Sequence, residues 1–258
     1  MRTVYTMVKR ELRAYFHSSI AYAIIFMFLF ISGYFFFAGM NAYGLASFEM
    51  SKMAQRVGPR ELTIAGFVVA PLLGNMSVVL LMMAPLLTMR LFSEEKKNGS
   101  IELLFTWPVT DFQMVMGKYL ASLAVVAIML GLTLPYVGFI WLHTTPPWSH
   151  ILSGYMGLFM LAASFLSLGL FFSTLTENQI VSAVLSFGAL LIFWVMGWTA
   201  GGNTDWLSEL IKYFSILEHF QNPSRGVLDT RDVVYYFSFI VFFLFLSLRA
   251  LEAEKIGG

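Results

Sequence analysis

Six stretches of this chain contain no acidic or basic residue: Ile20 to Gly39, Ile64 to Met89, Tyr119 to Leu142, Ile151 to Ser173, Ile180 to Trp198 and Val233 to Leu248. None of the 16 Lys and Arg or the 15 Asp and Glu falls inside them. A run of about 20 apolar residues, at roughly 1.5 Å per residue, matches a hydrocarbon core of about 30 Å. The expected fold class is therefore all-α integral membrane, with six transmembrane helices. Composition agrees, since 58% of the residues are hydrophobic and only 12% are charged, against about a quarter in soluble proteins. A mean hydropathy of +0.74 excludes disorder. Six spans use roughly 120 residues. Too little of the 258-residue chain remains for a large soluble domain, so residues 1–258 read as one transmembrane domain. The last run has only 16 residues and must lengthen through Asp232 and a snorkelling Arg249. The first is long, aromatic-rich and lacks a small-x-small cleavage pattern, so it reads as a retained span rather than a signal peptide.

The basic residues set the orientation. Ten lie in the N-terminal segment (Arg2, Lys9, Arg10, Arg13), the second connection (Arg90, Lys96, Lys97, Lys118) and the C-terminus (Arg249, Lys255). Six lie on the other side, in longer segments where the rule is weaker. Both termini are thereby expected in the cytoplasm. Pro71, Pro85 and Pro135 should kink their helices. The spaced small residues Ala163 with Ser167, Gly169 with Ser173 and Ser182 with Ser186 allow close helix approach.

Three connecting segments are amphipathic. Residues 2–18 place Val4, Tyr5, Val8, Leu12, Tyr15 and Phe16 on one arc and Arg2, Lys9, Arg10 and Arg13 on the next, the pattern of an interfacial helix. Glu11 sits beside the apolar edge, either snorkelling or as an i,i+4 neighbour, or in a buried ion pair at a subunit contact. In the second connection, Asn98-Gly99 can end one helix in the left-handed conformation and Ser100 can cap another, with Glu102 in its first turn. That short helix presents Ile101, Leu104, Phe105 and Trp107, a hydrophobic surface for lipid or a partner protein. Thr110 and Gln113 form a capping-box pattern that opens the third span, and Thr176 and Gln179 another before the fifth. In the fifth connection, Trp206 to Phe220 forms a helix whose apolar face carries Leu207, Leu210, Ile211, Phe214 and Leu217. It either lies in the interface or dips in and returns under protein cover.

Several chemistries are missing. A net charge of +1 gives no basic face for nucleic acid. Cysteine is absent, which removes disulfides and thiolate metal sites. The four His are scattered, no H-E-x-x-H helix occurs, and the 16 Met read as flexible apolar filler. No phosphate-binding G-x-x-x-x-G-K-[ST] loop is present, so ATP is not bound by that route.

Four stretches resemble the permease subunits of ABC type-2 transporters, particularly the gliding-motility-associated group, with the nitrous oxide reductase maturation permease as a more distant relative. They are Lys9 to Phe16 running into Ile20-Ala-Tyr22; Phe92-Ser-Glu-Glu-Lys-Lys-Asn-Gly-Ser-Ile-Glu-Leu-Leu104 through Pro108 and Gly117-Lys118; Leu175-Thr-Glu-Asn-Gln179; and Arg225 to Asp229 through Arg231 to Tyr235. The second, with paired acids before Gly and Glu-Leu-Leu after it, is the most diagnostic. The resemblance implies that the N-terminal helix and the loop between spans two and three touch a separate ATPase, the loop as a coupling helix. It also implies that the segment before span six is a re-entrant extracytoplasmic hairpin. The coupling residues would be Glu94, Glu95, Gly99, Glu102, Leu103 and Leu104, with Glu11 and Arg13 as a second contact, the acids meeting bases on the ATPase. No catalytic, cofactor or metal residue is expected in this chain; ATP and Mg2+ would sit on the ATPase. Expected partners are that ATPase, a second permease copy or paralogue, membrane lipid and an extracytoplasmic accessory protein, in a bacterial inner membrane. The implied function is ATP-driven transport, with export the favoured direction. The alternatives are a nucleotide-independent carrier or channel with an ion site near Asn75, and a membrane assembly scaffold.

Overall fold

The computed structural model describes residues 2–57, 63–102, 109–143, 145, 147–199 and 206–257. Among these residues every regular element is helical. α1 (Arg2–His17) turns at Ser18 into α2 (Ser19–Val57). A π turn over Ala65–Val69 leads into α3 (Ala70–Thr88), with Pro71 at its start and Pro85 inside it. α4 (Ser93–Lys97) follows a four-residue turn. α5 (Asp111–Gly131) and α6 (Leu134–His143) form the third span, broken at Leu132-Thr133 just before Pro135. Then come α7 (Trp148–Leu175), α8 (Gln179–Thr199), the short α9 (Trp206–Phe214) and α10 (Glu218–Ser224), and α11 (Thr230–Gly257). Six helical segments are long and apolar enough to cross a membrane.

α7 is the axis of the bundle. Seventy-two per cent of its most apolar window is buried, and 61% of that of the span containing α3, against 22% for α8 and α11. Small residues make this possible. A Cβ added at Gly154 would run into Leu73, one at Gly157 into Pro223 and one at Gly169 into Thr88, so the neighbours reach the α7 backbone only because glycine stands there. The hydroxyls on these helices donate to carbonyls one turn back, as Ser164 does to Met160 O (3.1 Å), Thr88 to Ala84 O (3.0 Å) and Ser247 to Phe243 O (2.8 Å). Each is thereby satisfied without water.

Four boundaries differ from those read in the sequence. The first span is not confined to residues 20–39, because α2 continues for 39 residues to Val57, about 58 Å of helix. Between Gly39 and Val57 the chain has no proline and carries three Ala and three Met among other good helix formers, so the helix persists after its apolar run ends. The last span extends past residues 233–248 at both ends, through Asp232 and Arg249 as its short apolar run requires. Asp232 is accommodated by His219 Nδ1 at 2.7 Å and Asn222 Nδ2 at 3.0 Å. Thr176 does not cap α8; Asn178 does, its Oδ1 accepting the N–H groups of Ile180 (2.9 Å) and Val181 (3.4 Å).

The fourth difference is the segment from Trp206 to Phe220, which is not one helix. It breaks over Ser215 to Leu217, where the backbone is claimed by neighbours. Tyr235 donates to Phe214 O (2.8 Å), Tyr236 donates to Ile216 O (3.1 Å), and Ile216 N–H donates to Phe193 O (3.2 Å). Leu217 is the last residue of the break and packs on the core, Phe214 is exposed, and Ile211 is half-buried, so these residues do not share one covered face. Leu207 and Leu210 fall within α9.

The glycine contacts generate a matched pair of variants. Gly169→Ala should lower the melting temperature of the detergent-purified chain, because Thr88 is fixed by its bond to Ala84 O; overpacking of this kind costs about 1–3 kcal/mol. Gly188→Ala, which meets nothing within 4 Å, should leave it unchanged or raise it. Equal effects in thermal unfolding of the two variants would show that α3 and α7 do not meet at this glycine.

Candidate functional site

α1 and the last turns of α11 lie at one end of the bundle, where they meet α4 and the start of α5. α5 starts there on a capping box: Gln113 N–H donates to Thr110 Oγ1 at 3.3 Å, and Thr110 N–H donates to Gln113 Oε1 at 3.4 Å. Two turns on, Gly117 lets α1 lie directly against α5. A Cβ there would stand 2.8 Å from Met7 Cβ. Met7, Glu11 and Tyr15 follow at four-residue spacing, so the stripe of α1 that faces protein runs along the border between its apolar and basic arcs.

The next residue, Lys118, is buried with its ammonium in the middle of an ion cluster. Its Nζ lies 2.8 Å from Glu95 Oε1 and 3.5 Å from Glu11 Oε1, and 5.0 Å from the centre of the Phe92 ring. Arg10 closes the cluster from the exposed side, with Nη2 at 2.8 Å from Glu11 Oε1 and 3.5 Å from Glu95 Oε1. Two acids and two bases from three helices therefore neutralise one another. An ion removed from water is tolerated only with such partners. Tyr15 adds a neutral tie by donating to Leu87 O at 2.7 Å. Burial, reinforced by the Glu11 carboxylate, holds its phenol well above the ordinary range, so it remains a donor.

α4 is also fastened to the end of α7. Ser173 Oγ accepts the backbone N–H groups of Phe92 (3.0 Å) and Ser93 (3.2 Å), while Ser93 Oγ donates to Ser173 O (3.2 Å). Lys96 Nζ donates to Thr174 O at 2.7 Å and pairs with Glu254 of α11 at 2.6 Å. A five-residue helix is thus bonded to α1, α5, α7 and α11.

The family model described as ABC-2 family transporter protein matches residues 5–253, nearly the whole chain. The chain belongs to the ABC-2 transporter family. A comparison with curated proteins returns no match. The ABC-2 permease is a multi-pass membrane subunit of an ABC transporter, a transport component of a kind that pairs with an ABC ATPase.

The residues singled out in the ABC-2 permease sequence divide by environment. Glu94 and Glu102 are exposed, Arg13 is exposed on α1, and Gly99 has a left-handed φ of +66° that ends α4. Helix resumes at Ser100, whose hydroxyl donates to Glu95 O at 3.3 Å. Leu103 and Leu104 lie outside the described residues. Glu95 and Glu11 turn inward, and the ion pairs of Glu11 are made within the chain, to Arg10 and Lys118. Sequence reasoning missed Lys118, Arg10, Lys96 and Ser173 as parts of this assembly. The available signal for Lys118 was its position inside the helix opened by the Thr110 capping box, which makes it a helical lysine rather than a loop lysine.

Lys118→Met should destabilise the permease by about 3–5 kcal/mol, because Glu11 and Glu95 lose the cation that balances them. Adding Glu95→Gln should recover a substantial part of that loss in chemical unfolding. Strict additivity of the two substitutions would show that the ion pair carries no coupling energy.

Proposed function

We propose that the ABC-2 permease is the translocating half of an ATP-driven exporter in a bacterial inner membrane, of the gliding-motility-associated kind, with both termini cytoplasmic. Two permeases would work with two ATPase subunits that hold the ATP and Mg2+. The ATPase would press on the surface made by exposed Glu94, Gly99 and Glu102, with Leu103 and Leu104 filling its groove and Arg13 as a side contact. The observation that carries this reading is the fastening of α4. It presents Glu94 outward while Glu95 and Ser93, on either side, are bonded to Lys118 of α5 and Ser173 of α7. A displacement of α4 must therefore move α5 and α7 or break buried polar bonds. In this scheme Glu95 and Glu11 transmit movement to the spans and do not touch the ATPase.

The broken α9–α10 segment would lie on the extracytoplasmic side as the re-entrant hairpin and offer a surface to an accessory protein. What supports a protein-covered position is that its interrupted carbonyls are met by Tyr235 and Tyr236 rather than left to solvent. A second permease copy is supported by the exposed stripe of Phe26, Phe30, Tyr34 and Phe37 on α2.

Glu102→Lys should abolish copurification of the ATPase and ATP-dependent transport while leaving the melting temperature of the permease alone, since the side chain is exposed. Wild-type copurification and transport together would remove the contact from this surface. The absence of native cysteine allows a topology test. Cysteine at Asn98 should resist an impermeant thiol reagent in intact cells, whereas cysteine at Ser208 should react; the reverse pattern would invert the orientation.

A further inference from the structure

A crevice of about 190 Å3 opens between α1, the start of α2 and the end of α3. One wall is apolar and includes Ile24 and Leu86; the other carries Glu11, Tyr15, Arg90 and Glu94. Arg90 is the anomaly. It stands in the turn just after α3, its Nε is buried without a hydrogen-bond partner, and no carboxylate among the described residues comes within ion-pair distance. Glu11 shares the crevice but is already paired with Arg10 at 2.8 Å and Lys118 at 3.5 Å. Tyr15 shares it too, with its proton given to Leu87 O.

The crevice therefore presents a guanidinium fork with no acceptor supplied by the chain, beside an exposed carboxylate, Glu94, and above apolar side chains that reach the bundle surface at Ile20 and Leu86. A guanidinium in that condition calls for a planar or tetrahedral oxyanion that can take two N–H bonds, and phosphate fits the fork. The carboxylates on the same wall oppose a ligand of net negative charge. They suit one that carries an ammonium group near its phosphate. The apolar wall suits the first methylenes of an acyl chain, and the crevice lies where an apolar span meets its first charged residues, at the depth of lipid headgroups.

We propose that this crevice is a specific site for a phosphatidylethanolamine of the leaflet nearest the chain termini, with its phosphate on Arg90, its ammonium toward Glu94 and one acyl chain against Ile24 and Leu86. The site would make lipid a structural part of the joint between α1 and the first two spans. It goes beyond the transport role and stands whether or not α4 meets an ATPase.

The test uses the full chain extracted in mild detergent and analysed by native mass spectrometry, then delipidated and returned to vesicles of defined composition. One phosphatidylethanolamine per chain is expected to survive extraction. Arg90→Gln should lower its retention at least tenfold, and Arg90→Lys should lower it less. Leu86→Trp, which fills the apolar wall at a half-exposed position while leaving Arg90 intact, should also release it, and decides the matter if Arg90→Gln fails to fold. Vesicles of phosphatidylethanolamine should reload the site at least tenfold better than phosphatidylcholine, which has no N–H to donate, or phosphatidylglycerol. Equal retention in wild type and Leu86→Trp overturns the proposal. Equal reloading by phosphatidylglycerol overturns the ammonium assignment and the site as stated. Displacement by millimolar inorganic phosphate or free phosphoethanolamine identifies a soluble anion site and overturns the lipid.

Discussion

Lipid offers no hydrogen bonds, and that constraint governs where most polar side chains of the spans are found; Ser32 and Ser182, buried without a partner, are exceptions among the described residues. In water an unpaired hydroxyl or carbonyl is indifferent; between apolar spans it must close on the protein. Tyr119 donates to Ala163 O (3.1 Å) and Tyr136 to Leu29 O (3.0 Å), each tying one span to the backbone of another. Such ties matter more here than in a soluble core, because lipid tails compete on equal terms with leucine for apolar contact. Packing comes from the glycines that let helices touch, and specificity from the hydroxyl bonds that fix which carbonyl each helix meets. The ion cluster at Lys118 is the extreme case, four charges that can stay in place only while three helices keep their relative positions.

One consequence concerns α7, which is bonded at both of its ends. Near one end Ser173 holds the turn and helix at Phe92 and Ser93; near the other Ser153 Oγ donates to Pro223 O at 2.9 Å, with Gly157 against the same proline. The twenty-residue step from one serine to the other spans about 30 Å of uninterrupted helix, comparable to the hydrocarbon core. α7 is therefore a single rigid element in direct polar contact with α4 at one end of the bundle and α10 at the other.

The spans were legible because absence of charge over a long run has a single physical outcome, and the Thr110 capping box and the Gly99 stop were legible because their chemistry is local. What could not be read was tertiary. Met7 and Glu11 face protein only because Gly117, more than a hundred residues later, leaves room for them. The Thr110 capping box makes Lys118 a helical lysine, but its burial against Glu95 and Glu11 depends on where α1 and α4 lie. The amphipathic pattern from Trp206 onward was real in α9, yet periodicity cannot reveal that two tyrosines on α11 will take the carbonyls of Phe214 and Ile216. The 39-residue α2 was missed for a different reason: apolarity ended at Gly39, but helix propensity did not.

Those two tyrosines are consecutive in sequence, so their side chains leave α11 about 100° apart. Each meets a carbonyl on the break between α9 and α10, and His219 is stacked on the Tyr235 ring at 3.9 Å. Only one azimuth of α11 satisfies both hydroxyls together. A twist of that helix about its own axis would release both bonds in one step, so the broken segment is keyed to the rotational setting of the last span like a bolt to its lock.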